Sequence, residues 1–139
     1  MNEKSSKHQV EVLSWEGLGF RPLVEFESWI VALMNWEPRF DLTGIGDIER
    51  HNETDEVFVL THGKSVLFNV GDDGLQVFDM KPGVIYNVTK GTWHSVIGNK
   101  DTTWLIVESS STSRTNTEHR QLSKGEIESL KEQYPSWLT

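Results

Sequence analysis

The chain has 139 residues, 36% hydrophobic and 24% charged, the size and composition of one globular domain with a single sizeable core. It contains no cysteine, which excludes disulfides, thiolate metal sites and cysteine nucleophiles. The net charge is −8, and residues 37–56 alone hold seven acids and two bases, a balance that repels nucleic acid and anionic membrane.

Residues 1–9 are a polar end with no apolar run behind their charges, so no signal peptide is expected. The longest apolar run, Trp29 to Met34, has six residues, against the roughly 20 a membrane-spanning helix needs. The expectation is a soluble cytoplasmic protein. Val10–Leu13 reads as a short edge strand, followed by the glycine-punctuated loop Trp15–Gly19. Arg21–Val24 continues extended, because Pro22 biases its predecessor away from helix. Glu27–Trp36 is the first strong strand, although its apolar run could equally form a buried helical turn.

Leu42–His51, with Gly44 and Gly46 as bulges or close-packing points, and Glu56–Thr61 read as two arms of a hairpin with the polar tip Asn52–Asp55. That pairing sets His51 opposite Glu56, with Cβ atoms roughly 4.5–5.5 Å apart. Glu49 falls on the same face by the period of two. One surface thus gathers an imidazole and two carboxylates. Short strands separated by glycine turns then follow: Ser65–Val70, Leu75–Met80, Val84–Val88, Thr92–Ile97 and Thr103–Glu108. This rhythm predicts an antiparallel sandwich or barrel. Ser109–Asn116 reads as a polar loop or arm, and Ser123 with Glu126 forms a capping box that predicts a helix over 124–133, closed by Pro135. The expected organisation is an N-terminal arm (1–23), a barrel (24–108), and a polar linker with a C-terminal helix (109–139).

The segment around residues 40–108 resembles the cupin superfamily. Gly46, Glu49, His51, Glu56 and Gly63 match that family's first motif, and Gly91 with His94 match its second. Two departures stand out: Glu49 takes the place of a histidine, and Thr89 that of a proline. The resemblance implies an all-β double-stranded β-helix, or jelly-roll barrel, here with a short C-terminal α-helix. It also implies that His94 joins Glu49, His51 and Glu56 around a divalent metal. Two imidazoles and two carboxylates suit Mn, Fe, Zn or Ni without separating them. Glu49 is either the fourth ligand or a residue that orients His51. The competing reading makes His51 and His94 hydrogen-bonded barrel-lining residues without a metal.

Phe58 and Leu60 share the Glu56 face and are expected on the barrel floor, while Trp93 alternates away from His94 and is expected to pack between the sheets. Phe68, Tyr86, Trp36 and Phe40 could shape a pocket mouth, but core packing is expected for most of them. His8, His62 and His119 fall in polar tails or turns and are read as solvated. Such sites in the family serve isomerases, lyases, epimerases and dioxygenases. The implied function is a metal-dependent enzyme acting on a small sugar or a keto or hydroxy acid, with no catalytic residue assigned. The alternatives are a non-catalytic small-molecule binding or sensing domain and a metal-free assembly module. Barrels of this kind commonly pair, so a homodimer is expected.

Overall fold

The computed structural model describes residues 8–138. The described residues form ten strands: β1 (Gly19–Phe26), β2 (Trp29–Asn35), β3 (Asp47–His51), β4 (Glu56–His62), β5 (Ser65–Gly71), β6 (Gly74–Asp79), β7 (Ile85–Val88), β8 (Trp93–Gly98), β9 (Thr103–Ser109) and β10 (Thr117–Gln121). One helix, α1 (Lys124–Glu132), follows them. Two antiparallel five-stranded sheets result, ordered β1-β2-β9-β4-β7 and β10-β3-β8-β5-β6. This is the expected all-β jelly roll with a short C-terminal helix.

The strand pattern follows from where the apolar side chains go. In β2, Ile30, Ala32 and Met34 are buried while their neighbours are not, the period of a strand with one face inward. That alternation rules out a helical turn there. Ile30, Ala32, Met34, Phe58, Leu60, Val96, Trp104 and Ile106 form the core between the sheets. Trp104 is fully buried and its indole N–H donates to Ser65 Oγ at 2.9 Å, so the core leaves this polar atom satisfied.

The central strands β5 and β8 of the second sheet are buried on both faces. On the outer side of this sheet, Ile48, Phe68, Leu75 and Ile97 meet Leu122 and Leu130 of the C-terminal segment. This explains the unbroken buried run Ser65–Phe68 in β5, which lacks the alternation of a half-exposed strand. The capping box forms as expected: the Glu126 N–H donates to Ser123 Oγ at 3.1 Å, and the Ser123 N–H to Glu126 Oε1 at 2.8 Å. Arg120 on β10 donates to both Glu126 oxygens, at 2.8 and 2.9 Å, tying the helix start to the sheet. The helix is therefore a brace packed on the outer face of the second sheet.

Five expectations need correction. Glu49–His51 and Glu56 do not belong to a hairpin. β3 pairs with β8 and β10, whereas β4 pairs with β7 and β9, so Asn52–Asp55 crosses from one sheet to the other. Val10–Leu13 forms no strand, and Val10 and Val12 are 87% and 92% exposed. Leu42–Gly44 is a 3-10 turn, because Pro38 starts a tight path that continues through Asp41, and β3 begins only at Asp47. Sheet structure also exceeds the 24–108 span: β1 starts at Gly19, and the presumed linker contains β10. Trp93 does point away from His94, but it packs on the outer face, with the guanidinium carbons of Arg50 and Arg120 4.6 and 5.1 Å from its ring centroid.

Candidate metal centre

Both sheets contribute to one cluster in the barrel interior. On the second sheet, β3 carries Glu49 and His51 inward, and Glu49 is directly opposed to His94 on β8. From the first sheet, β4 sends Glu56 across the interior to meet them. Glycine at position 91, with φ +78°, makes the turn before β8, and its N–H donates to the His51 carbonyl at 2.7 Å. That bond ties the second motif to the first.

His51 Nε2 lies 3.0 Å from Glu56 Oε1, and His94 Nε2 lies 2.9 Å from the same oxygen. Glu49 Oε1 stands 3.6 Å from His51 Nε2 and 4.0 Å from His94 Nε2. His51, Glu56 and His94 are buried, at 6%, 5% and 1% exposure, while Glu49 is half-buried at the opening. Each ring is held from behind: His94 Nδ1 donates to the Thr92 carbonyl at 2.9 Å, and His51 Nδ1 pairs with Thr117 Oγ1 at 2.9 Å. A ring whose Nδ1 carries the hydrogen presents a lone pair at Nε2 when neutral.

Two nitrogen lone pairs and a carboxylate oxygen so close together demand positive charge among them. Without a cation, that charge is a proton. Burial works against the imidazolium forms, but hydrogen bonding to Glu56 and the charges of Glu56 and Glu49 outweigh it, and both histidine pKa values are raised. Burial likewise works against the Glu56 anion, yet the hydrogen bonds from His51 and His94 hold its pKa well below the usual carboxylate range. A divalent ion would serve the same purpose. With ligand bonds of about 2.0–2.2 Å, ligands at right angles sit about 3 Å apart, close to the spacing seen. The ligand atoms of Glu49, His51, Glu56 and His94 all lie within 4.8 Å of one another, so the residues present fit such an ion.

The cluster opens into a cavity of about 240 Å³. Phe20, Met34, Phe40, Phe58 and Ile106 supply apolar wall, and Arg39 and Asp47 stand among the lining residues. Phe58 packs edge-on against the His94 ring, with centroids 5.9 Å apart. Leu60 belongs to the core beneath and does not line the cavity. Phe68 lies outside it too, in the cluster under the helix.

One lining residue escaped the sequence reading. Glu108 on β9 is directly opposed to Glu56 on β4 and lines the cavity. Burial, together with the charge and hydrogen bond of Glu56, pushes its pKa up to about 8. The signal was present: Glu108 continues the inward series Trp104, Ile106 by the period of two. His119 is exposed, as read, although it lies on β10 and not in a tail or turn, 3.1 Å from Asp47 Oδ2 and 3.8 Å from Glu49 Oε2. His62 matches its reading, at 71% exposure near Asp101.

No family model matches the chain, and no curated protein matches it. Solved structures do. Streptomyces Pac13, described as a nucleoside dehydratase with a β-barrel structure, aligns with a TM-score of 0.55 at 12% identity. That alignment spans 74% of this chain and 78% of the other. A cupin-2 domain protein of Shewanella frigidimarina aligns at 0.50 and 19% identity, over 68% and 84% of the two chains. Oxalate decarboxylase of Bacillus subtilis aligns at 0.50 and 18% identity, over 69% of this chain and 24% of the other. The chain shares the barrel fold of these three proteins, one of them a cupin-2 domain protein.

Proposed function

We propose that this protein is a metal-dependent enzyme that transforms a small polar metabolite, a sugar or a keto or hydroxy acid, inside the barrel. The observation that carries this reading is the meeting of His51 Nε2, His94 Nε2 and Glu56 Oε1 within hydrogen-bond distance at the base of a cavity, with Glu49 beside them. Glu49, His51, Glu56 and His94 would hold the ion, Mn, Fe, Zn or Ni. When bound, it would supply Lewis acidity or activate water or dioxygen. The protein's own part is geometric. Thr117 and Thr92 hold the two rings, and Phe58, Met34 and Ile106 keep water from the buried side of the site.

The cavity of about 240 Å³ lies below the roughly 300–1,000 Å³ of ordinary ligand sites, which favours a substrate of monosaccharide size or smaller. Two neighbours of the same fold carry the names of small-molecule enzymes, a nucleoside dehydratase and an oxalate decarboxylase, and this supports turnover over passive binding. No helix among the described residues is long and apolar enough to cross a membrane, in keeping with a cytoplasmic setting. The exposed Phe26 and Trp29, at 48% and 42%, lie at the turn joining β1 to β2 and suit a homodimer contact.

The test begins with elemental analysis of protein purified without chelator, then turnover of a panel of pentoses, hexoses and short keto and hydroxy acids after reconstitution with each metal. Metal near one equivalent and turnover abolished by His51→Ala are expected. Saturable binding of a panel member without turnover would replace the enzyme by a binding domain. Failure to retain any of the four metals would remove the metal.

A further inference from the structure

The two histidines of the cluster are anchored differently. His94 Nδ1 meets the Thr92 carbonyl of its own segment, and a carbonyl can only accept, so that nitrogen must carry the hydrogen. His51 Nδ1 meets the hydroxyl of Thr117, which can accept or donate. Thr117 is directly opposed to His51 across the β10–β3 pair, at the first position of a strand that follows a Ser/Thr-rich loop. The placement is supported from both sides: the Asn52 N–H donates to the Asn116 carbonyl at 2.9 Å, and the Leu122 N–H to the Gly46 carbonyl at 2.7 Å.

We infer that Thr117 is a positioning residue of the metal centre: its hydroxyl, hydrogen-bonded to His51 Nδ1, fixes the ring orientation that aims Nε2 at the cation, and accepts from Nδ1–H when the Nε2 lone pair is given to the metal. This rests on the metal reading above and extends it to a strand outside both sequence motifs. The Gly91 N–H grips only the backbone carbonyl of His51, and Glu56 meets the ring at Nε2, whether it accepts a hydrogen there or shares a cation. Thr117 holds the ring from the other side, at Nδ1.

The test compares Thr117→Val, which keeps the shape and removes the hydroxyl, with Thr117→Ser, which keeps the hydroxyl. Metal affinity is read by competition between the protein and a chromophoric chelator for Mn(II) and Zn(II). Thr117→Val should bind about 10–100-fold more weakly, the usual loss when an orienting partner of a ligand histidine is removed. Thr117→Ser should stay within about threefold of the unmodified protein. Equal affinity in the valine variant, or an equal loss in the serine variant, would overturn the inference. A second readout is independent of metal. Nitrogen-15 relaxation of the His51 ring in the metal-free protein should show it held in one orientation, and the valine variant should loosen it while the serine variant does not. A ring equally ordered in the unmodified and valine proteins would sink the idea. If the unmodified protein retains no metal yet the valine variant loosens the ring, the metal reading fails while the positioning by Thr117 stands.

Discussion

Glu49 and His94 face each other directly across the β3–β8 pair, and this single register brings the two sequence motifs together. Their side chains are not hydrogen-bonded; Glu49 Oε1 and His94 Nε2 stand 4.0 Å apart, each nearer to another member of the cluster. Glu49 is 35% exposed at the opening, whereas His94 is 1% exposed at the base. The two positions should therefore respond differently to substitution.

His94→Ala and His51→Ala are each expected to abolish stoichiometric metal retention, measured by elemental analysis, while circular dichroism keeps its β signature. Removing a partner of the buried Glu56 leaves that carboxylate less satisfied, so a stability loss of about 1–3 kcal/mol in urea titrations is expected alongside. Metal retained at one equivalent in either variant would remove that histidine from the ligand set.

Glu49→Gln separates the two roles open to Glu49. A loss of about 10–100-fold in metal affinity marks a residue that orients its neighbours, and a larger loss marks a ligand. Glu49→His should tighten binding if Glu49 is a weak ligand, since imidazole is well suited to these ions.

The Arg120–Glu126 pair sets an acid-sensitive link between sheet and helix. The two Arg120 hydrogen bonds, helped by Ser123, lower the Glu126 pKa from 4.5 to about 2. A carboxylate with a depressed native pKa adds stability that is fully present above its unfolded pKa and fades as pH falls through the native value. Glu126→Gln keeps the capping box and removes the ion pair, so it should cost about 0.2–1 kcal/mol at pH 7, the range for a partly exposed pair. The difference from the unmodified protein should shrink between about pH 4.5 and 2. A difference independent of pH across that interval would contradict the pair's role.

Leu130 is fully buried against the outer face of the second sheet. Leu130→Ala should destabilise the whole domain by about 2–5 kcal/mol, as core truncations do. Unfolding followed by tryptophan fluorescence and by circular dichroism should remain one coincident transition. Separate transitions would mean that the helix is an appendage.

The sequence by itself determined what local chemistry can specify. Alternation in Ile30, Ala32 and Met34 marks a strand, glycine turns mark the rhythm of the barrel, and Ser123 with Glu126 starts the helix, because each rests on neighbours within a few residues. The spacing of Glu49 and His51 places both on one face for the same reason. Which strand pairs with which was not determined locally. Asn52–Asp55 reads as a hairpin tip, yet it is a crossover, because burying the inner faces of both sheets together favours sending β4 to the opposite sheet. The expected contact between His51 and Glu56 exists at 3.0 Å, but across the barrel and not along a ladder. Glu108 and Thr117 reach the site only through β4–β9 and β10–β3 registers between segments far apart in the chain. Such pairings are chosen by the packing of the whole core, which no short stretch of residues contains, and tertiary structure alone decided them.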